Sequence, residues 1–215
     1  MIPNSLKSWL GGEARSPARR QPDEGPPDRD SSQGVLRHSN GLREFFAHIS
    51  GQKGLKVLDL GAASQANINF ITGLGHTIFH EDLFPQFAGP HRNGETFLRD
   101  NLNYQPVHFD AVICWDIFDQ LPEPELASKI VARLGQITKT GGALVLFFHT
   151  AKPDTEVPVY RSQICGMDCF RMFPRGSFRL RRPLNNRNIE NLFRDFHALK
   201  FFLARDHLRE VLVVR

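Results

Sequence analysis

The acids of this chain fall where a ligand's hydroxyls or positive charge can be held. Asp59 opens a small-residue turn, Asp59-Leu60-Gly61-Ala62-Ala63-Ser64-Gln65, and Glu81-Asp82 follows, with Asp82 21 residues after Gly61. An acid about 20 residues beyond a glycine turn is placed to accept hydrogen bonds from ribose hydroxyls. Asp100-Asn101 and Trp115-Asp116 come later in the chain. Any one of these acids taken alone reads equally well as a helix cap or a strand end. His149 closes an apolar run and is the candidate catalytic base or substrate contact, with His80 in a similar position. Both also read as hydrogen-bonded structural histidines.

The elements that must position these residues alternate. Leu36, Leu42, Phe45, Phe46 and Ile49 recur at helical spacing, and Gly51 stops the helix. Residues 55–60 (LKVLDL) read as a buried strand, 65–73 as a helix, 76–82 as a strand and 109–116 (FDAVICWD) as a third strand. Pro124 to Ile137 is helical, with Leu126, Ile130, Leu134 and Ile137 on one face. Gly141-Gly142 turns into a strand over 143–149. Residues 188–196 are helical, and 197–205 and 207–215 make a terminal hairpin. Strands alternating with helices give an α/β, doubly wound, mostly parallel sheet, with the ligand crevice at the carboxyl ends of the strands.

The ordered series VLDLG, an acid after the second strand, D-x-L, FDAVICWDIFDQL and TKTGGALVL resembles the class I S-adenosylmethionine-dependent methyltransferases over residues 35–150. The later helix and terminal hairpin continue the resemblance to 215. It implies a Rossmann-like, seven-stranded sheet with a C-terminal antiparallel hairpin, S-adenosylmethionine as cofactor, and methyl transfer to an acceptor. It implies that Gly61 lets the backbone approach the cofactor's methionine end, with Ala63 in the same cofactor-binding turn and Asp59 organising it. It further implies that Asp82, or Glu81 beside it, holds the ribose, that Asp100 and Asn101 meet the adenine, and that Trp115 and Asp116 lie beneath the sulfonium. Where the family carries a Gly-x-Gly-x-Gly run, this chain has Gly61, Ala63 and Gln65. Alanine adds a methyl group toward the ligand, and Gln65 stands near the cofactor's carboxylate, to bond it or to obstruct it. A non-catalytic relative with an eroded cofactor site is therefore the alternative.

The rest of the chain bounds the partners. It has 215 residues, 40% hydrophobic and 23% charged, enough for one domain. Residues 1–34, rich in Gly, Pro, Ser, Arg and Asp, read as a disordered tail, and 35–215 as the domain. Leu6, Trp9 and Leu10 before that stretch are a possible partner contact. No apolar run is long enough to span a membrane, no signal pattern opens the chain, and three cysteines make no disulfide framework. The expectation is a soluble cytoplasmic protein with no membrane partner and no metal. Cys165 and Cys169 are spaced C-x3-C, too few for zinc, and read as small buried apolar groups. The connector 151–187 is long for such a sheet and reads as a functional lid. Within 161–187 seven arginines meet one acid, Asp168, interleaved with Phe170, Phe173 and Phe178. Tyr160, Arg161 and Arg179 are the candidate substrate contacts, for a small anionic or aromatic acceptor. An RNA-directed enzyme using this arginine-rich segment is a further alternative. No G-x-G-x-x-G turn is present, which disfavours a nicotinamide dehydrogenase.

Overall fold

The apolar stripe Leu42, Phe45, Phe46 and Ile49 needs a surface to cover, and the helix that carries it is set by Ser39, whose side chain accepts from the Leu42 amide at 2.9 Å. The same logic recurs along the chain in the computed structural model, which describes residues 34–83, 94–121, 123–202 and 207–215. The strands are β1 (Val35–His38), β2 (Lys56–Asp59), β3 (Thr77–His80), β4 (Phe109–Cys114), β5 (Thr138–His149), β6 (Thr155–Gly166), β7 (Cys169–Leu180), β8 (Ala198–Phe202) and β9 (Leu208–Val214). The helices are α1 (Asn40–Ile49), α2 (Gln65–Gly73), α3 (Gly94–Asn101), α4 (Pro124–Ile137) and α5 (Asn186–Leu192), with a 3₁₀ turn at Asp116–Gln120.

The main sheet has the order β3-β2-β4-β5-β9-β8. β3, β2, β4 and β5 are parallel, and β9 runs antiparallel to both β5 and β8. Because side chains alternate across a strand, the register Leu58, Val112, Leu144, Val213 faces one side, and the register Val57, Ala111, Ala143, with Val145 and Leu212 two residues along, the other. The first side is covered by α4 through Ile130, Val131, Leu134 and Ile137, together with Phe97, Ile189 and Phe193. The second is covered by α1, by Ile71 of α2, and by Ile164, Phe170 and Met172 from a second sheet, ordered β1-β7-β6 and antiparallel throughout.

The alternating helices and strands, the parallel half of the sheet and the terminal hairpin follow the sequence pattern. Three expectations are corrected. The main sheet has six strands among the described residues, not seven. Leu36 belongs to β1, opposite Arg171, and its side chain is exposed, so α1 starts only at Asn40. The connector expected as a loop-like lid is largely two 12-residue strands. Its buried residues, Val157, Val159, Ile164, Phe170, Met172 and Leu180, carry the period of two, which two register shifts interrupt. The arginines between them lie on the exposed side and mask the strand pattern. The expected tail lies, apart from Gly34, outside the described residues, and no described helix is long and apolar enough to cross a membrane.

One buried ion pair joins the two sheets. Glu210 of β9 accepts from Arg37 Nη1 of β1 at 2.5 Å, from Ser39 Oγ at 2.9 Å and from the Gly41 amide at 2.5 Å. The Arg37 guanidinium also stands 5.4 Å from the Phe170 ring and 5.8 Å from the Phe147 ring. Breaking a buried pair from one side leaves a charge without its counter-charge in low dielectric. Glu210→Ala is therefore expected to lose about 3–5 kcal/mol of stability in urea unfolding, and Glu210→Gln, which keeps the shape but also removes the counter-charge, to lose most of the same.

Candidate active site

The carboxyl ends of β2, β3 and β4 converge, as parallel topology requires, and the β6–β7 hairpin closes over them. The resulting cleft is lined by Leu60, Gly61 and Ala62 after β2, Asp82 after β3, and Trp115, Asp116, Ile117 and Gln120 after β4. Val159, Tyr160 and Ser162 of β6 and Arg175 of β7 form its roof. An aromatic recess adjoins it, between Trp115, Phe147, Tyr160 and Phe170.

Asp59 sits beneath this cleft, fully buried. Its Oδ1 accepts from Trp115 Nε1 at 2.7 Å and its Oδ2 from Asn67 Nδ2 at 2.9 Å. Burial raises its pKa, while Asn67, His80 and Trp115 pull the other way. Asn67 also donates to the Ser162 carbonyl at 3.2 Å and accepts from the Ile164 amide at 2.8 Å, which ties α2 to β6. Trp115, held by Asp59, stacks on Phe147 at 5.3 Å and meets Phe170 edge-on. The ring lies directly over Gly61. A Cβ there would come within 2.8 Å of Trp115 Nε1 and nearer still to Cδ1. Glycine is required at 61 to seat the tryptophan, a close approach that the turn pattern alone attributes to a ligand.

The two acids after β3 part company. Asp82 lines the cleft, 3.5 Å from Arg175 Nη1. Glu81 turns away to accept from Tyr104 Oη at 2.5 Å. Asp100 and Asn101 end α3 and are absent from the cleft lining. Asp100 lies 3.2 Å from Arg99 Nε, and Asn101 donates to the Phe97 carbonyl. Ala63 is absent from the lining too, and Gln65 donates along α2 to Asn69 Oδ1 at 2.8 Å. Of the expected substrate contacts, Tyr160 lines the cleft. Arg161 is exposed and stacks on Phe173 at 5.4 Å, and Arg179 is exposed opposite Glu156.

His149, at the end of β5, is 4% exposed and does not line the cleft. Its Nδ1 lies 3.0 Å from Asp119 Oδ2, which also accepts its backbone amide at 2.5 Å. Its Nε2 is buried with no hydrogen-bond partner. Asp116 stands on the cleft side of this pair, and its Oδ2 is likewise buried and unpartnered. Burial pushes the Asp116 carboxyl up to about 6, with His149 opposing the shift and Asp119 adding to it. Asp119, Asn67, Ser162 and Arg175 were not singled out from sequence. Only Asp119 carried a local signal, its spacing three residues after Asp116, one turn of the 3₁₀ segment.

No protein-family model matches the chain, and no curated protein matches it significantly by sequence. Solved structures do match in fold. A protein from Pyrococcus horikoshii OT3 superposes with a TM-score of 0.51 at 14% identity, over 81% of this chain and 88% of that one. A putative type 11 methyltransferase from Sulfolobus solfataricus gives a TM-score of 0.50 at 10% identity, over 83% and 94%. The chain thus shares its fold with these two structures, one of them a putative type 11 methyltransferase.

Two outcomes follow from this geometry. Gly61→Ala forces Trp115 off the turn, and overpacking of this kind costs about 1–3 kcal/mol; urea unfolding is expected to show that loss and tryptophan emission to shift red. Asp116 binds its proton more tightly in the folded state than its ordinary value of 3.8, so it weakens the fold as pH rises between about 4 and 6. Asp116→Asn removes that penalty. It is expected to match the parent below pH 4 and to exceed it by about 3 kcal/mol at pH 8, read from unfolding midpoints across pH.

Proposed function

We propose that this protein binds S-adenosylmethionine in the cleft between Asp82 and Asp116 and transfers its methyl group to a small acceptor. The observation that carries this reading is the Asp116 Oδ2 atom, a buried, unpartnered carboxylate oxygen on a residue that lines the cleft. Ionised above pH 6, it is the complement of a cationic ligand. The donor set fits the cofactor. Asp82 is placed to accept from the ribose hydroxyls, and Asp116 to face the positive charge. The room does not fit in this closed conformation. The cleft encloses about 20 Å³, space for one water, where ligand sites need roughly 300–1,000 Å³. Binding requires the Arg175 and Tyr160 side chains to swing off the cleft, while Asn67 keeps β6 tied to α2 and Trp115 stays pinned to Asp59.

Bound there, the cofactor supplies an activated methyl group on a sulfonium. The chain supplies position and proton handling. Asp82 and Asp116 orient the ligand between them, and the hairpin shuts out water once it closes. The aromatic recess beside Asp116 suits a planar acceptor. A proton lost by the acceptor passes to Asp116 Oδ2, whose elevated pKa matches neutral operation. The Asp119–His149 pair behind it is a positioning device.

One observation favours a second reading. Trp115 occupies the place over Gly61 that the methyltransferase pattern leaves to the cofactor, and its N–H is locked onto a buried carboxylate. On that reading the cleft is closed for good, and the protein is a non-catalytic binding module on a methyltransferase fold.

Calorimetric titration with S-adenosylmethionine and S-adenosylhomocysteine separates the two. The expected result is micromolar binding, about −8 kcal/mol. Asp82→Ala should weaken it about 10- to 100-fold, the worth of hydrogen bonds to a charged acceptor, and Arg175→Ala should not. Absence of heat at millimolar ligand, in the parent and in Arg175→Ala alike, would establish the second reading.

A further inference from the structure

We propose that Cys165 and Cys169 form a reversible disulfide at the tip of the β6–β7 hairpin, making that tip a thiol redox site. The two sulfurs lie 3.1 Å apart, about 1 Å beyond the length of a disulfide bond. A break in the strand register brings them together. Ile164 faces Phe170 and Gly166 faces Cys169, so Cys165 is the extra residue of a bulge. Bulges re-aim side chains, and here the re-aimed side chain meets Cys169. The glycine between them keeps the space open, since a Cβ on Gly166 would stand 2.8 Å from Cys169 Sγ. The tip is also held in place. The Ser39 amide donates to the Asp168 carbonyl at 2.8 Å, and His38 Nδ1 lies 3.6 Å from Asp168 Oδ2. The encounter of the sulfurs therefore needs little further ordering.

Access separates this pair from the third cysteine. Cys165 is exposed and Cys169 half-buried, whereas Cys114 is fully buried in β4. The expectation that Cys165 and Cys169 are small buried apolar groups is thus corrected. Burial and the neighbouring sulfur push the Cys165 thiol up to about 11, so oxidation at neutral pH falls at the slow end of a range running from seconds to hours.

The oxidant is a low-molecular-weight disulfide such as oxidised glutathione. One protein thiolate attacks it, forming a mixed disulfide and releasing one small thiol. The second protein sulfur then displaces the other small thiol and closes the protein S–S bond. Two electrons pass to the oxidant's S–S bond, and the two protein thiol protons end on the two small thiols released.

The test exposes the full-length folded chain to oxidised glutathione overnight at pH 8, then alkylates it in denaturant and digests it with trypsin. Both cysteines fall in the fragment 162–171. The expected result is that this fragment lacks two hydrogens and resists alkylation until dithiothreitol is added, while Cys114 is alkylated. Cys165→Ser should instead leave glutathione attached at Cys169. The proposal is overturned if the parent protein carries glutathione on both cysteines, or if both remain alkylatable. None of these outcomes depends on whether the cleft binds S-adenosylmethionine.

Discussion

The carboxylate of Asp59 has no exposure to solvent, and each of its oxygens is taken by a different part of the chain. One holds Trp115 at the end of β4, and the other holds Asn67 in α2, which in turn grips the backbone of β6. A buried carboxylate is tolerated only where hydrogen bonds replace its lost water. That requirement fixes the indole over Gly61, the start of α2 against the sheet, and the hairpin across the cleft. The shape of the candidate site is thus a consequence of one buried polar group finding its partners.

Glu210 has a similar role at the join between the two sheets. It accepts from a buried arginine and from the hydroxyl and amide that begin α1. Ser39 acts twice, capping α1 and bonding Glu210. The strand that precedes α1, the hairpin paired with it and the antiparallel end of the main sheet therefore form one packed unit. The hairpin that roofs the cleft is anchored at its tip, along β1 and, through Asn67, beside the point where Tyr160 reaches over the cleft.

The architecture is shared with methyltransferases, but function rests on the site and not on the fold. Here the strand ends carry Asp82 and Asp116, while the space over the glycine turn is filled by a tryptophan. The fold supplies the crevice. The particular side chains after β4 and on the hairpin decide what enters it.

Much of the plan was legible in the residues. LKVLDL, FDAVICWD and the apolar run 143–149 are short, bounded and β-branched enough to read as buried strands, and Gly, Ser and Pro mark their ends. The parallel order and the terminal hairpin followed from that alternation. So did the crevice, with Asp82, Trp115, Asp116 and Gly61 on its wall. Other features depend on contacts between residues far apart in sequence. Glu81 and Asp82 are neighbours that read alike, and only Tyr104, brought beside them by the fold, draws Glu81 aside. Asp100 and Asn101 stay out of the cleft because α3 carries them away, and the reason for Gly61 became visible only with Trp115 above it. Hydrophobic periodicity is local, so the sequence by itself determined the strands of the main sheet and their order, but not the β6–β7 hairpin, whose exposed arginines mask its period. Which buried polar group meets which partner is a long-range matter of packing, and that the tertiary structure alone decided.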